Sequence, residues 1–131
     1  MRSQICKYAK TLGVYKVVYN KKAKRVAGTY NAYRKLIFLN AKQNRKHLLM
    51  SFFHEIGHHV ACMRELWTDY HFDLKPFSEE TRFLIENNID KIANVLWNKS
   101  VCNKTWGKYK YYYPISQKKG LIKWLKKYNN K

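Results

Sequence analysis

This sequence lacks long apolar runs and paired cysteines. It also has no acidic residues over most of its length. No run approaches the roughly 18 consecutive apolar residues that a membrane-spanning helix needs. Residues 1–10 also lack the apolar segment of a secretory signal. We therefore expect a cytoplasmic protein without a membrane span.

The cysteines exclude two further kinds of site. Cys6, Cys62 and Cys102 are odd in number and widely spaced, and no CxxC pair occurs. A cysteine-rich zinc knuckle and a CxxC redox motif are therefore not expected. We interpret the three residues as reduced thiols without a catalytic role.

The chain also contains no internal repeat and no flexible linker that would separate two domains. Its 131 residues suit one domain, and 46% apolar with 16% aromatic residues supply enough material for a core. We predict a single domain over residues 1–131. Its core should span about 14–98, followed by a basic and aromatic extension over 99–131.

Charge is distributed unevenly along the sequence. There are 27 Lys and Arg against 8 Asp and Glu, a net charge of +19, and all the acids lie between Glu55 and Asp90. Two basic flanks without any acid predict attraction to a polyanion such as nucleic acid. In the extension, bases alternate with aromatics, which suits phosphate contacts and base stacking, although a solvated surface with buried aromatics fits as well. The candidate contacts are Lys104, Trp106, Lys108, Tyr109 and Lys110.

Residue patterns predict an α+β fold. Strands are expected over 14–20, 25–33 and 34–40, forming a small, mostly antiparallel sheet. Helices are expected over 3–11, 43–66 and 79–98, the last capped by Ser78. The connection over 67–77 shows no clear periodicity.

The segment SFFHEIGHHV at 51–60 holds an HExxH motif within the second predicted helix. His54 and His58 are four residues apart, so both imidazoles face one side of the helix, with Glu55 beside them. Two His ligands, a third protein ligand and a water form a hydrolytic zinc site, in which the glutamate acts as general base. We therefore predict Zn²⁺ as cofactor, with a buried pair of structural histidines as the alternative.

The third ligand is predicted on the following helix. Glu86 lies on the same stripe as Ile89 and Ala93, where a carboxylate is costly unless it is paired or binds metal. Asp90, one turn later, can hold the other ring nitrogen of a ligating histidine. His71, in the connection, is the alternative third ligand.

Two neighbours complete the motif. Gly57 has no side chain, which predicts a close approach of the sheet or the last helix at that point. His59 points away from His58 and is predicted to lie on the helix surface.

The sequence resembles the ImmA/IrrE-type metallopeptidases from about Val14 to Trp97. The resemblance rests on IFLN at 37–40, on NRKHLLMSFFHEIGH, and on ENNIDKIA after it. It implies a minimal zincin-like fold, in which the sheet packs on the HExxH helix and on a second ligand-bearing helix. It also implies His54, His58 and Glu86 as zinc ligands, the gluzincin HExxH...ExxxD arrangement, and Glu55 as the general base.

The expected function is intracellular, zinc-dependent cleavage of a protein, and the resemblance suggests a DNA-binding repressor as substrate. A substrate strand could pair with the sheet edge near residues 27–33. Candidate donors to the oxyanion are Tyr30, Tyr33, Tyr70 and His71. Two alternatives stay open: an SprT-like protease acting on protein bound to DNA, with His71 as ligand, and a nucleic-acid-binding protein with structural zinc.

Overall fold

A computed structural model describes residues 2–22, 26–73 and 75–100. Along the chain the elements are α1 (Arg2–Thr11), β1 (Lys16–Asn20), β2 (Gly28–Asn31), β3 (Leu36–Asn40), α2 (Arg45–Met63), α3 (Thr68–Phe72) and α4 (Glu79–Lys99). The α+β class, the three strands and the three longer helices are confirmed. The short helix α3 lies in the connection for which the sequence predicted no element.

The sheet is mixed, so the prediction of a mostly antiparallel sheet is wrong. The strand order is β1-β3-β2, with β1 parallel to β3 and β2 antiparallel to β3. The two consecutive strands β2 and β3 form a hairpin, as expected for a short connection. β1 pairs with β3, on the side away from β2. Within the described part of the chain, β2 is therefore an edge strand.

Helix α2 occupies the centre of the fold. It contacts β2 and β3 of the sheet, and also α3 and α4. On β3, Ile37 and Leu39 are buried and alternate with half-buried residues, which is the pattern of a strand with one face on the core. The core around α2 also contains Phe52, Phe53, Ile56 and Trp97.

Side-chain caps fix the starts of α2 and α4. The Asn44 side chain accepts a hydrogen bond from the His47 amide, and the Ser78 hydroxyl accepts one from the Thr81 amide. Within the part of the chain that the structure describes, no helix combines the length and apolar character that crossing a membrane requires.

Gly57 lies where α4 approaches α2 closely. A Cβ atom built there would lie 2.8 Å from the Ile89 carbonyl oxygen and 3.0 Å from Ile89 Cγ2. The close approach predicted for this glycine is therefore confirmed, with α4 as the partner. It brings the turns that carry His54, His58 and Glu86 face to face.

Replacing Gly57 with alanine should lower the free energy of unfolding. Alanine gains about 1 kcal/mol of helix propensity, but its methyl group would meet a backbone carbonyl that cannot move alone. Overpacking of this kind costs about 1–3 kcal/mol. Urea unfolding measures the difference, and a Gly57→Ala chain as stable as the wild type would contradict the close approach.

Candidate metal centre

Two helices supply the candidate site. His54 and His58 lie on successive turns of α2, and Glu86 lies on α4. Glu86 Oε2 is 3.0 Å from His54 Nε2 and 3.0 Å from His58 Nε2, and the two nitrogens are 3.2 Å apart. The three atoms form a nearly equilateral triangle. His54, His58 and Glu86 therefore form a group that could hold a metal ion.

The triangle has the size of one face of a coordination tetrahedron. Zinc binds nitrogen and oxygen ligands at about 2.0–2.1 Å, which places tetrahedral ligand atoms about 3.3 Å from one another. The observed separations of 3.0–3.2 Å are slightly shorter. Only a small adjustment would be needed to place the three atoms around a shared ion.

A carboxylate fixes the orientation of His54. Asp90 is buried, and its Oδ1 accepts a hydrogen bond of 2.8 Å from His54 Nδ1. With one proton on Nδ1, the ring directs Nε2 toward His58 and Glu86; this nitrogen donates to Glu86 when it carries a proton and offers a lone pair to a metal when it does not. Burial lowers the pKa of His54, but the hydrogen bonds to Asp90 and Glu86 outweigh it and hold that pKa well above its usual value.

His58 is oriented by a chain of two hydrogen bonds. The Trp67 carbonyl can only accept, so His71 Nδ1 donates to it at 2.9 Å. Burial, chiefly, lowers the pKa of His71 to about 4, so at neutral pH its Nε2 is an acceptor. His58 Nδ1 therefore donates to His71 Nε2 at 3.0 Å, which leaves the His58 Nε2 lone pair facing Glu86.

This arrangement attracts positive charge. Two imidazole nitrogens and the buried Glu86 Oε2 atom converge, and among the described residues only these two imidazoles are placed to donate to that oxygen. Burial raises the pKa of Glu86, but His54 and His58 lower this pKa by a larger amount. The carboxyl group therefore stays ionised. A proton on His54 or a metal cation satisfies the centre, and the donor set of two imidazoles and a carboxylate suits zinc.

Glu55 lies next to this group, on the side of the sheet. Its side chain is only 6% exposed, and burial, the main cause, raises its pKa. A Cβ atom on Gly28 would lie 3.2 Å from Glu55 Cγ, so the edge strand β2 passes directly over it. A buried carboxyl group with a raised pKa is suited to take up and release a proton.

The other predicted site residues make defined contacts. Tyr70 is buried and donates a hydrogen bond of 2.7 Å to Glu86 Oε1. The Tyr30 hydroxyl lies 2.7 Å from His59 Nδ1, and His71 is engaged by Trp67 and His58. Tyr33 is 75% exposed and packs edge-on against Phe72. The predicted nucleic-acid contacts lie outside the described residues, as does Cys102; these contacts are Lys104, Trp106, Lys108, Tyr109 and Lys110.

His59 is completely buried, so the prediction of a surface position is wrong. Its Nε2 donates to the Leu12 carbonyl at 2.6 Å, and its Nδ1 then accepts from the Tyr30 hydroxyl. The face of α2 that carries His59 is covered by the sheet and by the end of α1. Because these partners are distant in sequence, no local pattern could predict them.

The role of Trp67 and His71 was also missed. Trp67 adopts a left-handed backbone conformation, with φ 51° and ψ 43°, at the start of α3. This conformation is unfavourable for a residue with a side chain, at roughly 1–2 kcal/mol. It starts the turn in which the Trp67 carbonyl meets His71, and a bulky Trp gives no sequence signal for it.

We expect His71→Leu to weaken zinc binding by about 10- to 100-fold, the usual cost of losing a group that orients a ligating histidine. His71→Gln keeps an acceptor of similar reach and should retain most of the affinity. Titration against a chromophoric chelator measures both variants. Equal affinities for His71→Leu and wild type would contradict the orienting role, and loss of metal by both variants would indicate a direct ligand.

Comparisons of the chain with protein-family models, curated proteins and solved structures find no match. The geometry of the site therefore carries the functional assignment.

Proposed function

We propose that the protein is a zinc-dependent endopeptidase of the ImmA/IrrE type. The observation that carries this proposal is the convergence of His54 Nε2, His58 Nε2 and Glu86 Oε2 within 3.0–3.2 Å. Three protein ligands leave one tetrahedral position open, which is the pattern of catalytic and not of structural zinc sites. In the described residues no cysteine joins the group to close it.

The chain's own residues supply the proton transfers. Zinc, when held by such a set, lowers the pKa of a water ligand to about 7 and polarises a carbonyl oxygen. Glu55 accepts a proton from the attacking water and returns it to the leaving amine. Asp90 and His71 hold the two imidazoles in the required tautomers, and the Tyr70 hydroxyl holds Glu86 from its other oxygen.

The edge strand suggests how a substrate is held. Among the residues that the structure describes, β2 pairs with β3 alone, so its other edge can pair with an extended peptide. Gly28 of this strand lies against Glu55, which would bring the peptide carbonyl near the base. A substrate that is locally extended or unfolded fits this mode better than a rigid helix.

The hydrogen bonds support Glu86 over His71 as the third ligand. Both nitrogens of His71 are engaged, one by the Trp67 carbonyl and the other by His58 Nδ1, on the side of His58 away from Glu86. An SprT-like site with His71 Nε2 as ligand would require its bond to His58 Nδ1 to break, and would leave His58 without that partner. The charge of +19 favours a substrate associated with nucleic acid, such as a DNA-binding regulator.

Cleavage of a peptide library tests the proposal. The full chain, loaded with zinc, is incubated with peptides derived from a digested proteome, and mass spectrometry identifies new termini. Cleavage should stop when a chelator removes the metal and resume when zinc is restored. A loaded chain that produces no new termini in either this library or intact unfolded proteins would contradict the proposal.

A further inference from the structure

The parallel strands β1 and β3 end side by side in the same kind of turn. Asn20 pairs with Asn40 in the register of the sheet. The Asn20 side chain accepts from the Lys22 amide at 2.8 Å, and the Asn40 side chain accepts from the Lys42 amide at 2.9 Å. The Ala41 amide also donates to the Asn20 carbonyl at 3.0 Å. The two chain segments therefore leave the sheet together.

These turns present positive charge at one end of the sheet. Lys21, Lys22 and Lys42 are all exposed, and Arg45, also exposed, follows at the first position of α2. We call these four residues the basic edge. The sequence contains no Asp or Glu before Glu55, so no acid from this part of the chain neutralises them.

The start of α2 adds to the same field. The N-terminal end of a helix is partly positive and normally favours acids in its first turn. α4 follows this rule with Glu79 and Glu80, whereas α2 has no acid in its first turn and begins with Arg45. The like charges oppose one another within the protein, and an anion bound beside them would relieve the repulsion.

The backbone under the basic edge is held in place. The Gln43 side-chain amide donates to the Ala27 carbonyl at 2.8 Å and to the Asn40 carbonyl at 3.0 Å. Its oxygen accepts from the Ser51 hydroxyl at 2.7 Å. The positions from which the lysines extend are therefore fixed before any partner arrives, which lowers the entropy cost of binding.

We propose that the basic edge binds the phosphate backbone of nucleic acid. Exposed cations on turns that leave the sheet side by side suit a row of phosphates. Contacts to phosphates alone imply binding without sequence preference. Binding to a membrane surface is strengthened by apolar groups that insert into it. Of the large exposed apolar residues of the described chain, Val26 adjoins this edge through Ala27, and none lies within 16–22 or 40–47. The basic edge shares no residue with the candidate metal centre. Binding of nucleic acid at this edge does not depend on peptidase activity.

The test compares two triple variants of the full chain that lose the same charge. Lys21→Gln, Lys22→Gln and Lys42→Gln together remove the three lysines of the basic edge, whereas Lys10→Gln, Lys75→Gln and Lys91→Gln remove three exposed lysines elsewhere. Fluorescence anisotropy gives the affinity for a short DNA duplex over a salt series. Each phosphate contact contributes about 0.9 to the slope of log K against log salt.

Raising the salt from about 50 to 200 mM weakens DNA binding by both proteins. If the variant has lost three phosphate contacts, this weakening should be about 40-fold greater for the wild type than for the basic-edge variant. The control variant should follow the wild type, and an arginine triple at the same three positions should retain binding. Circular dichroism verifies that each variant is folded. An RNA duplex of the same sequence distinguishes the two sources of phosphate.

Three results would overturn the proposal. A control variant that loses as much salt dependence as the basic-edge variant would assign binding to overall charge. A wild-type chain whose affinity does not change with salt would remove the phosphate contacts altogether. Stronger binding to phosphatidylserine vesicles than to either duplex, lost only in the basic-edge variant, would assign the surface to membranes.

Discussion

The Glu86→Ala variant is expected to bind zinc at least about 100-fold more weakly than the wild type. Loss of a group that only orients a ligand already costs about 10- to 100-fold in metal affinity. Glu86 Oε2 lies 3.0 Å from both imidazole nitrogens, so its removal leaves only two of three ligand atoms. It also removes the negative charge that balances the cation. Competition with a chromophoric chelator measures the affinity, and peptidase activity should fall with it.

Two further variants separate the ligand role from other effects of the substitution. Glu86→Gln keeps the size of the side chain and should also lose zinc, which excludes a simple cavity effect. Glu79→Ala removes an exposed carboxylate from the same helix and should bind zinc like the wild type. If Glu86→Ala stayed fully loaded while His71→Ala lost its metal, the third ligand would be His71 and the SprT-like arrangement would replace the present one.

Glu55→Gln should abolish cleavage while leaving zinc binding intact. The amide has nearly the shape of the carboxyl group but cannot accept the proton of the attacking water, and loss of a general base costs about 10²–10⁴-fold in rate. Glu55 is outside the triangle of ligand atoms, so the metal content should stay at the wild-type level. Peptide-library cleavage and metal analysis on the same sample give both values.

Glu65→Gln is the matched control for that experiment. Glu65 is exposed just beyond the end of α2, so its amide variant should cleave at the wild-type rate. Cleavage retained in Glu55→Gln would remove Glu55 from the mechanism. Loss of zinc in Glu55→Gln would instead show that the carboxylate helps to hold the site together.

Local periodicity explains why part of the site could be predicted from sequence. Residues four apart share a face on any helix, so the pairing of His54 with His58 needed no tertiary information. Glu86 could be singled out because a carboxylate on an apolar stripe requires a partner. Asp90 followed from its spacing to Glu86 on the same helix.

The parts that sequence could not predict depend on contacts between distant segments. The Leu12 carbonyl and His59 are 47 positions apart, and Tyr30 and His59 are 29 apart, so the burial of His59 has no local signature. The parallel pairing of β1 with β3 depends likewise on how the strands assemble. The hydrogen-bond chain through His71 depends on a backbone conformation that Trp67 rarely adopts.

The approach of α4 to α2 at Gly57 has a consequence for how the protein assembles. His54 and Asp90 are 36 positions apart, and their hydrogen bond exists only when the two helices are docked. Closing a loop of this length costs chain entropy before any contact compensates for it. The group of His54, His58 and Glu86 therefore cannot form on the HExxH helix alone. A nascent chain that lacks α4 would carry the motif without Glu86 and Asp90.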